Sequence, residues 1–129
     1  MNLSLAINHT HFRCSDLQAA TAFFQQVLGA ELVKRTEFGG RVIVTLSLGG
    51  TLFCLSPAAG AGLSAQENAK RLGVYHIAFN VPNLAEAVAE CRRRGAKFVV
   101  EHLQASPTRQ VAFMEAPDGM QIELMEDAV

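Results

Sequence analysis

An internal repeat constrains the fold of this chain more than any other feature of its sequence. Residues 8–17 (NHTHFRCSDL) return 67 positions later as residues 75–84 (YHIAFNVPNL). A Gly-Ala pair follows in each copy, at 29–30 and 95–96, with a slip of one residue. Such a repeat indicates two copies of one supersecondary unit. Because it also pairs two histidines, His9 and His76, it bears on chemistry as well as on architecture.

Length, charge and cysteine content narrow the class of protein. The chain has 129 residues, of which 50% are hydrophobic and 18% charged, as expected of one globular domain. A net charge of −1 gives no attraction for nucleic acid or for an anionic membrane. No apolar stretch reaches the roughly 18 to 20 residues of a membrane span, and residues 1–6 are too short for a signal peptide. Three irregularly spaced cysteines form no disulfide framework, so we expect a cytoplasmic protein.

Each copy of the repeat predicts the element order βαβββ. A short strand around each histidine leads into a helix. Ser15 with Gln18, and Asn83 with Glu86, have the spacing of capping boxes at the two helix starts. Gly29 and Gly95 stand where left-handed helix ends are expected. The later strands, separated by glycine-rich turns, are predicted at 31–37, 41–48, 51–56, 97–101, 110–115 and 120–126.

These elements predict a single α+β domain made of two βαβββ modules in tandem. The modules cover about residues 5–57 and 73–127, and the linker 58–72 is predicted to hold a short helix at 66–71. Side chains alternate along a strand, so residues two apart share a face. In the first strand of each copy the alternate positions that include the histidine are mostly polar, and we expect this face to turn away from the helix. We expect the two mixed sheets to curl into a cup with these groups inside, which is a small-molecule site. The inward groups are predicted to be His9, His11, Arg13, His76 and Asn80.

Four motifs resemble the vicinal-oxygen-chelate superfamily. They are HTHFRCSDL at 9–17, FFQQVLG at 23–29, YHIAF at 75–79 and APDGMQIEL at 116–124. The resemblance extends from residue 7 to residue 125. This superfamily includes glyoxalase I, extradiol dioxygenases, methylmalonyl-CoA epimerase, fosfomycin-modifying thiol transferases and bleomycin-resistance proteins. The resemblance implies a glyoxalase-like fold and a small-molecule substrate.

The resemblance also implies a divalent metal (Fe, Mn, Zn or Ni) held by His9, His76 and Glu123. Aligning the last hairpins of the two halves pairs Cys54 with Glu123, and many members carry Glu or Gln at the position of Cys54. The resemblance therefore implies three ligands, as in non-haem Fe(II) oxygenases, rather than the four of glyoxalase I. Cys54 is then either a small wall residue of the substrate site or a soft fourth ligand.

Other residues acquire expected roles from their positions beside these ligands. His11 and Glu123 are the candidate catalytic groups, His11 as a general acid or base. His11 could instead support the metal ligands, be a fourth ligand itself or be a passive wall residue. Arg13 matches an arginine of glyoxalase I that contacts the anionic end of its substrate, although an internal ion pair is an alternative. Asn80 is a candidate for holding a polar substrate group or for packing. Phe113 would contact substrate where extradiol and fosfomycin-type relatives often have a catalytic Tyr, and its missing hydroxyl argues against both activities.

Two classes of function remain open at this point. The first is a metal enzyme that binds its substrate through vicinal oxygens, with dioxygenase-like and lyase- or isomerase-like chemistry ranked above thiol transfer. The second is a metal-free small-molecule or antibiotic-binding resistance protein, with a purely structural dimerisation domain as a third reading. The resemblance implies a homodimer with shared active sites. Metal content would distinguish the first two classes.

Overall fold

The repeat folds as two units of the predicted element order. A computed structural model describes residues 3–60 and 62–128. The chain divides into two compact units, unit 1 (Met1–Gly60) and unit 2 (Ala61–Val129). The elements of unit 1 are β1 (His9–Cys14), α1 (Leu17–Ala22) continued by a π-helical turn (Phe23–Val27), β2 (Glu31–Phe38), β3 (Arg41–Leu48) and β4 (Thr51–Pro57). Those of unit 2 are α2 (Ala65–Asn68), β5 (His76–Asn80), α3 (Leu84–Arg93), β6 (Phe98–Ser106), β7 (Arg109–Glu115), a 3-10 turn (Pro117–Gly119) and β8 (Gln121–Asp127).

Each unit contains one four-stranded mixed sheet, which confirms the α+β class. The strand orders are β1-β4-β3-β2 and β5-β8-β7-β6. The first and last strands of each unit pair in parallel, and the other pairs are antiparallel. The chain has to cross over to make that parallel pair, and α1 or α3 lies in the crossover. This topology brings the histidine-bearing first strand beside the last strand of its own unit. None of the helices among residues 3–60 and 62–128 is long and apolar enough to span a membrane.

The two units bury different cores. In unit 1, Phe24 is 1% exposed, and its ring lies 6.2 Å from that of Phe12 and 5.8 Å from that of Phe53. Phe23 meets the Phe24 ring edge-on at 5.6 Å. Such offset and edge-on pairs add about 0.5–1.5 kcal/mol each to the burial of the rings. The buried side chains of unit 2 include no aromatic ring among its described residues; they are Leu84, Val88, Val111, Ala112, Met114, Ile122 and Leu124.

Both main helices begin at a side-chain cap. Asp16 accepts a hydrogen bond from the Ala19 amide, and Asn83 accepts one from the Glu86 amide, each at 3.0 Å. The prediction that Ser15 caps α1 is wrong by one residue. Asp16 has the extended backbone of a cap, and its carboxylate also complements the positive end of the helix dipole.

The slip of one residue between the repeats has a structural cause at the end of α1. The chain there widens into the π-helical turn Phe23–Val27, and the Leu28 amide donates to the Phe23 carbonyl five residues earlier, at 3.4 Å. A π turn absorbs one inserted residue without breaking the helix. Gly29 and Gly95 then end the two helices with φ of 76° and 98°, as the sequence predicts.

Two predicted boundaries in unit 2 are wrong. β6 extends to Ser106 instead of residue 101, because its polar second half lies at the sheet edge and pairs with β7 through bulges. Polar residues are tolerated on an edge strand, and the same polarity suggests a loop when the sequence is read alone. α2 is also shorter and earlier than the predicted 66–71, since Ser64 and Glu67 form a capping box at 3.1 Å that starts it.

The segment before α2 packs closely against the turn that precedes β8. A Cβ atom built on Gly119 would lie 2.4 Å from the Ser64 carbonyl oxygen and 2.5 Å from that of Leu63. Only glycine fits this approach, and Gly119 also has a left-handed φ of 75°. The start of β8, which carries Glu123, is therefore held by backbone contact within unit 2.

Candidate functional site

In unit 1 the candidate residues lie on the sheet face turned away from α1, here called the helix-distal face. Along β1, Phe12 and Cys14 point toward the core, so His9, His11 and Arg13 lie on the opposite face. The parallel register of β1 with β4 sets His11 opposite Cys54 and Arg13 opposite Ser56. Sequence alternation and strand pairing thus bring two histidines, an arginine and a thiol to one face.

Two hydrogen bonds link neighbouring strands on this face. His11 Nε2 lies 2.8 Å from the Ser56 hydroxyl, whose residue is 0% exposed. Thr45, 4% exposed, lies 3.7 Å from Cys54, measured from its hydroxyl oxygen to the sulfur. Cys54 is partly buried, with its sulfur beside the Thr45 hydroxyl. Arg13 is exposed, and in the part of unit 1 that the structure describes no carboxylate forms an ion pair with it.

His9 has the hydrogen bond that a metal-binding imidazole commonly makes. Its Nδ1–H donates to the Asn8 side-chain oxygen at 2.7 Å, since an amide oxygen can only accept. This bond fixes the tautomer that leaves the Nε2 lone pair free for a cation. His9 is exposed, and its ring centroid lies 6.4 Å from that of His11.

In unit 2 the helix-distal face holds a histidine–carboxylate pair. His76 Nε2 and Glu123 Oε1 are 3.1 Å apart, with side chains only 24% and 13% exposed. The rings of Phe113 and His76 form a roughly T-shaped pair with centroids 5.4 Å apart, and Phe113 lies opposite Glu123 in the β7–β8 register. Asn80 is exposed on the same face and lies opposite Met125.

Strand registers make Cys54 and Glu123 structurally equivalent. Cys54 lies opposite His11, two residues after His9, and Glu123 lies opposite Ala78, two residues after His76. The alignment of the two hairpins in the sequence agrees with this register. Unit 1 therefore presents a thiol at the position where unit 2 presents a carboxylate.

The His76–Glu123 pair fits a divalent metal. Imidazole and carboxylate are donors that suit Fe, Mn, Zn and Ni, and His76 and Glu123 would be the residues of this unit to hold such an ion. Across residues 3–60 and 62–128, no group of three or more His, Cys, Asp or Glu side chains is gathered for a metal. His76 Nδ1 is buried, and no described side chain or backbone group hydrogen-bonds to it. The ring is thus held by packing and by Nε2.

Cys14, Cys91 and His102 are further ionisable side chains among the described residues. Cys14 is 3% exposed and belongs to the core of unit 1, whereas Cys91 is partly buried and its burial raises the pKa of its thiol. His102 is exposed in β6 and contacts the Gln110 side chain at 3.1 Å.

Sequence reasoning missed Ser56 and Thr45 as neighbours of the candidate site. Ser56 follows Cys54 by two residues, so strand alternation already indicates that they share a face. Its pairing with His11 required the parallel register of β1 with β4, which connects residues 45 positions apart. Periodicity alone does not give such a partner.

Comparison with known proteins agrees with this fold. The sequence-family model of the glyoxalase/bleomycin resistance protein/dioxygenase superfamily matches residues 6–124 of the chain. The lactoylglutathione lyase of Salmonella typhimurium is 32% identical over 127 residues, which cover 92% of this chain and 90% of the lyase.

Solved structures share the backbone at lower identity. A glyoxalase family protein from Enterococcus faecalis has a TM-score of 0.76 at 24% identity, covering 97% of this chain and all of its own. The fosfomycin resistance protein FosX from Listeria monocytogenes has a TM-score of 0.74 at 17% identity, covering 100% of this chain and 97% of its own. The family match over residues 6–124, together with the 32% identical lyase, shows that the chain belongs to the glyoxalase/bleomycin resistance protein/dioxygenase superfamily.

Proposed function

We propose that this protein is a divalent-metal-dependent enzyme of lyase or isomerase type, acting on a small substrate that chelates the metal through vicinal oxygens. The observation that carries the proposal is the pair of His76 Nε2 and Glu123 Oε1, two partly buried ligand atoms 3.1 Å apart. Buried carboxylates and imidazoles that face each other in a small-molecule binding fold are candidate functional groups.

His9, His76 and Glu123 are the residues proposed to hold the metal. A bound divalent ion supplies Lewis-acid stabilisation of negative charge on substrate oxygens. His9 is suited to the role because Asn8 holds its Nδ1–H and leaves Nε2 as the ligand atom. Glu123 is also proposed to act on the substrate as a catalytic carboxylate. The donor set accommodates Fe, Mn, Zn or Ni.

Lyase-type chemistry is favoured over ring cleavage by two observations. Phe113, whose ring borders His76, has no hydroxyl with which to move a proton. The relative at 32% identity is a lactoylglutathione lyase, whose name specifies a 2-hydroxyacyl thioester of glutathione. We therefore expect the substrate to be the hemithioacetal of a thiol and a 2-oxoaldehyde, which is an isomer of such a thioester.

The remaining residues of the helix-distal faces have proposed roles in binding and proton transfer. His11 is proposed to move a proton at the substrate, because imidazole can both give and accept one. Arg13 is proposed to bind a carboxylate of the substrate, consistent with its exposed guanidinium. Asn80, Cys54 and Phe113 are proposed to contact the substrate body.

A homodimer with shared active sites is the proposed assembly, in the cytoplasm. Exposed apolar side chains support a protein partner: Leu3, Leu5 and Ile7 precede β1 and are all largely exposed. Each site would then take His9 from one subunit and His76 with Glu123 from the other. Measuring the mass in solution, and mixing His9→Ala with His76→Ala subunits to recover activity, tests this assembly.

A metal-free binding protein is the second candidate. His76 and Glu123 can satisfy each other as a hydrogen-bonded pair at 3.1 Å without any ion. The protein would then sequester a small molecule or an antibiotic.

Metal analysis separates the two candidates. The protein is purified anaerobically and titrated with Fe²⁺, Mn²⁺, Zn²⁺ and Ni²⁺, and His76→Ala is compared with His102→Ala. We expect about one metal per chain in the wild type and in His102→Ala, loss of metal in His76→Ala, and turnover of hemithioacetals but not of catechols. A wild type that binds none of the four ions, yet binds an antibiotic tightly, would favour the second candidate.

A further inference from the structure

The imidazole of His11 on β1 is hydrogen-bonded to a serine hydroxyl of the neighbouring strand β4. His11 Nε2 and Ser56 Oγ are 2.8 Å apart, a short hydrogen bond between adjacent parallel strands. Ser56 is 0% exposed, while His11 is exposed on the helix-distal face. One partner is therefore shielded from solvent, and the other can reach a ligand.

We infer that Ser56 is a positioning residue that fixes the imidazole of His11, so that Nδ1 is the nitrogen offered to the substrate. The inference rests on the proposed function, in which His11 moves a proton. Because Ser56 holds Nε2, the ring cannot turn over without breaking the bond. A fixed ring keeps its reactive nitrogen at one place, and misplacing a reacting group by about 1 Å can cost roughly 100-fold in rate.

The hydroxyl of Ser56 suits this role because its oxygen can accept from His11 Nε2–H. In the neutral ring with its proton on Nε2, Nδ1 has a free lone pair, and after Nδ1 takes up a proton the imidazolium still donates Nε2–H to the same oxygen. His11 can thus accept a proton at Nδ1 and return it while the same hydrogen bond persists. Methionine or alanine at position 56 would have no such group.

A nucleophilic role for Ser56 does not fit the geometry. A serine within 2.8 Å of a histidine has the spacing of an activated nucleophile and its base. A nucleophile must reach the substrate, however, and Ser56 has no exposed surface. Its hydroxyl therefore acts through His11.

The test uses ¹⁵N NMR of the histidine side chains in metal-free protein at one fixed pH, with His11 assigned from His11→Gln. Ser56→Ala removes the hydroxyl and Ser56→Thr keeps it. Thr45→Val is the matched control, because Thr45 is another buried hydroxyl on this face but is bonded to Cys54. We expect Nε2 of His11 to be the hydrogen-bonded nitrogen in the wild type, in Ser56→Thr and in Thr45→Val. In Ser56→Ala both nitrogens should shift toward values for a freely solvated ring.

Activity provides the second measurement. With a substrate that the wild type converts, we expect Ser56→Ala to lower kcat by about 10- to 100-fold and to change KM less than about threefold. Ser56→Thr should restore kcat. Unchanged His11 signals in Ser56→Ala would overturn the inference. If that variant does not fold, wild-type signals typical of a freely solvated His11 ring would overturn it equally. The NMR measurement uses metal-free protein and does not depend on metal binding. A failure of the proposed function would appear in the metal content and the turnover, whereas a failure of this inference would appear in the NMR signals of His11.

Discussion

The two units share a backbone but differ in the side chains on their helix-distal faces. In unit 1 the row across β1, β4 and β3 is His11, Cys54 and Thr45, a set of small polar groups beside an imidazole. In unit 2 the equivalent row is Ala78, Glu123 and Phe113, a carboxylate between a methyl group and a ring. Equal strand registers have therefore been kept while the chemistry diverged. Under the proposed function, His11 of unit 1 would move a proton, and His76 and Glu123 of unit 2 would supply two of the three metal ligands.

The cores diverge in the same way. Unit 1 packs an aromatic cluster under a helix that ends in a π turn, and unit 2 packs aliphatic side chains under a regular helix. The same βαβββ backbone can enclose either an aromatic or an aliphatic core, because different sets of apolar side chains can fill the space between a sheet and its helix. Equivalent positions in the two units provide matched pairs of variants that test these differences.

The largest expected effect comes from the pair Glu123 and Cys54. Glu123→Ala should weaken metal binding by about 1,000-fold or more, because a direct ligand contributes more than the 10- to 100-fold of an outer partner. Cys54→Ala should change the affinity less than about threefold if the thiol is a wall residue. Isothermal titration with each metal measures both. A large loss in Cys54→Ala would instead make the thiol a fourth ligand.

The next pair compares the two cores. Phe24 and Cys91 occupy the same position counted from the starts of their helices, at Leu17 and Leu84. Phe24→Ala should lower the free energy of unfolding by about 3–5 kcal/mol, since it empties the centre of the aromatic cluster. Cys91→Ala should cost less than about 1 kcal/mol, because a small, partly buried thiol leaves little space. Urea unfolding gives both values, and similar losses would contradict the distinction.

The third pair compares the glycines that precede the last strand of each unit. Gly50 and Gly119 have φ of 83° and 75°, but a Cβ on Gly50 would meet nothing within 4 Å. Gly50→Ala should cost about 1 kcal/mol from backbone strain alone. Gly119→Ala should cost about 2–4 kcal/mol, because the methyl group would also displace the backbone at Ser64. Thermal unfolding tests the difference, and equal effects would mean that the residue 63–64 segment yields freely.

The smallest effect concerns the helix caps. Asp16→Ala should cost about 1 kcal/mol, because the Ala19 amide loses its acceptor. Asn83→Ala should cost about half as much, since Glu126 accepts a second hydrogen bond at that end, from the Leu84 amide at 2.6 Å. Chemical unfolding of both variants, with Glu126→Ala combined with Asn83→Ala, checks whether the second cap compensates. A larger loss in Asn83→Ala than in Asp16→Ala would exclude compensation.

Much of the fold follows from local patterns in the sequence. β3 begins and ends at the predicted residues, and β2 and β4 each end only one residue later than predicted. The agreement is close because glycine pairs at 39–40 and 49–50 mark the turns between these strands. Gly29 and Gly95, which are both left-handed, end their helices where the repeat indicates. β6 was harder to predict, since an edge strand keeps polar residues that elsewhere indicate a loop. Local signals are reliable where burial imposes an alternating pattern and weak where it does not.

In the candidate site, too, some features follow from local sequence patterns and others depend on the tertiary structure. The sequence by itself determined the doubled βαβββ order, the equivalence of His9 with His76, and the substitution of Cys54 for a second carboxylate. These depend on repetition and on alternation along single strands, which are local. Only the tertiary structure decided that His76 faces Glu123 at 3.1 Å and that His11 is bonded to the buried Ser56. Both contacts join the first and last strands of a unit, and their register is set by packing of the whole sheet against its helix.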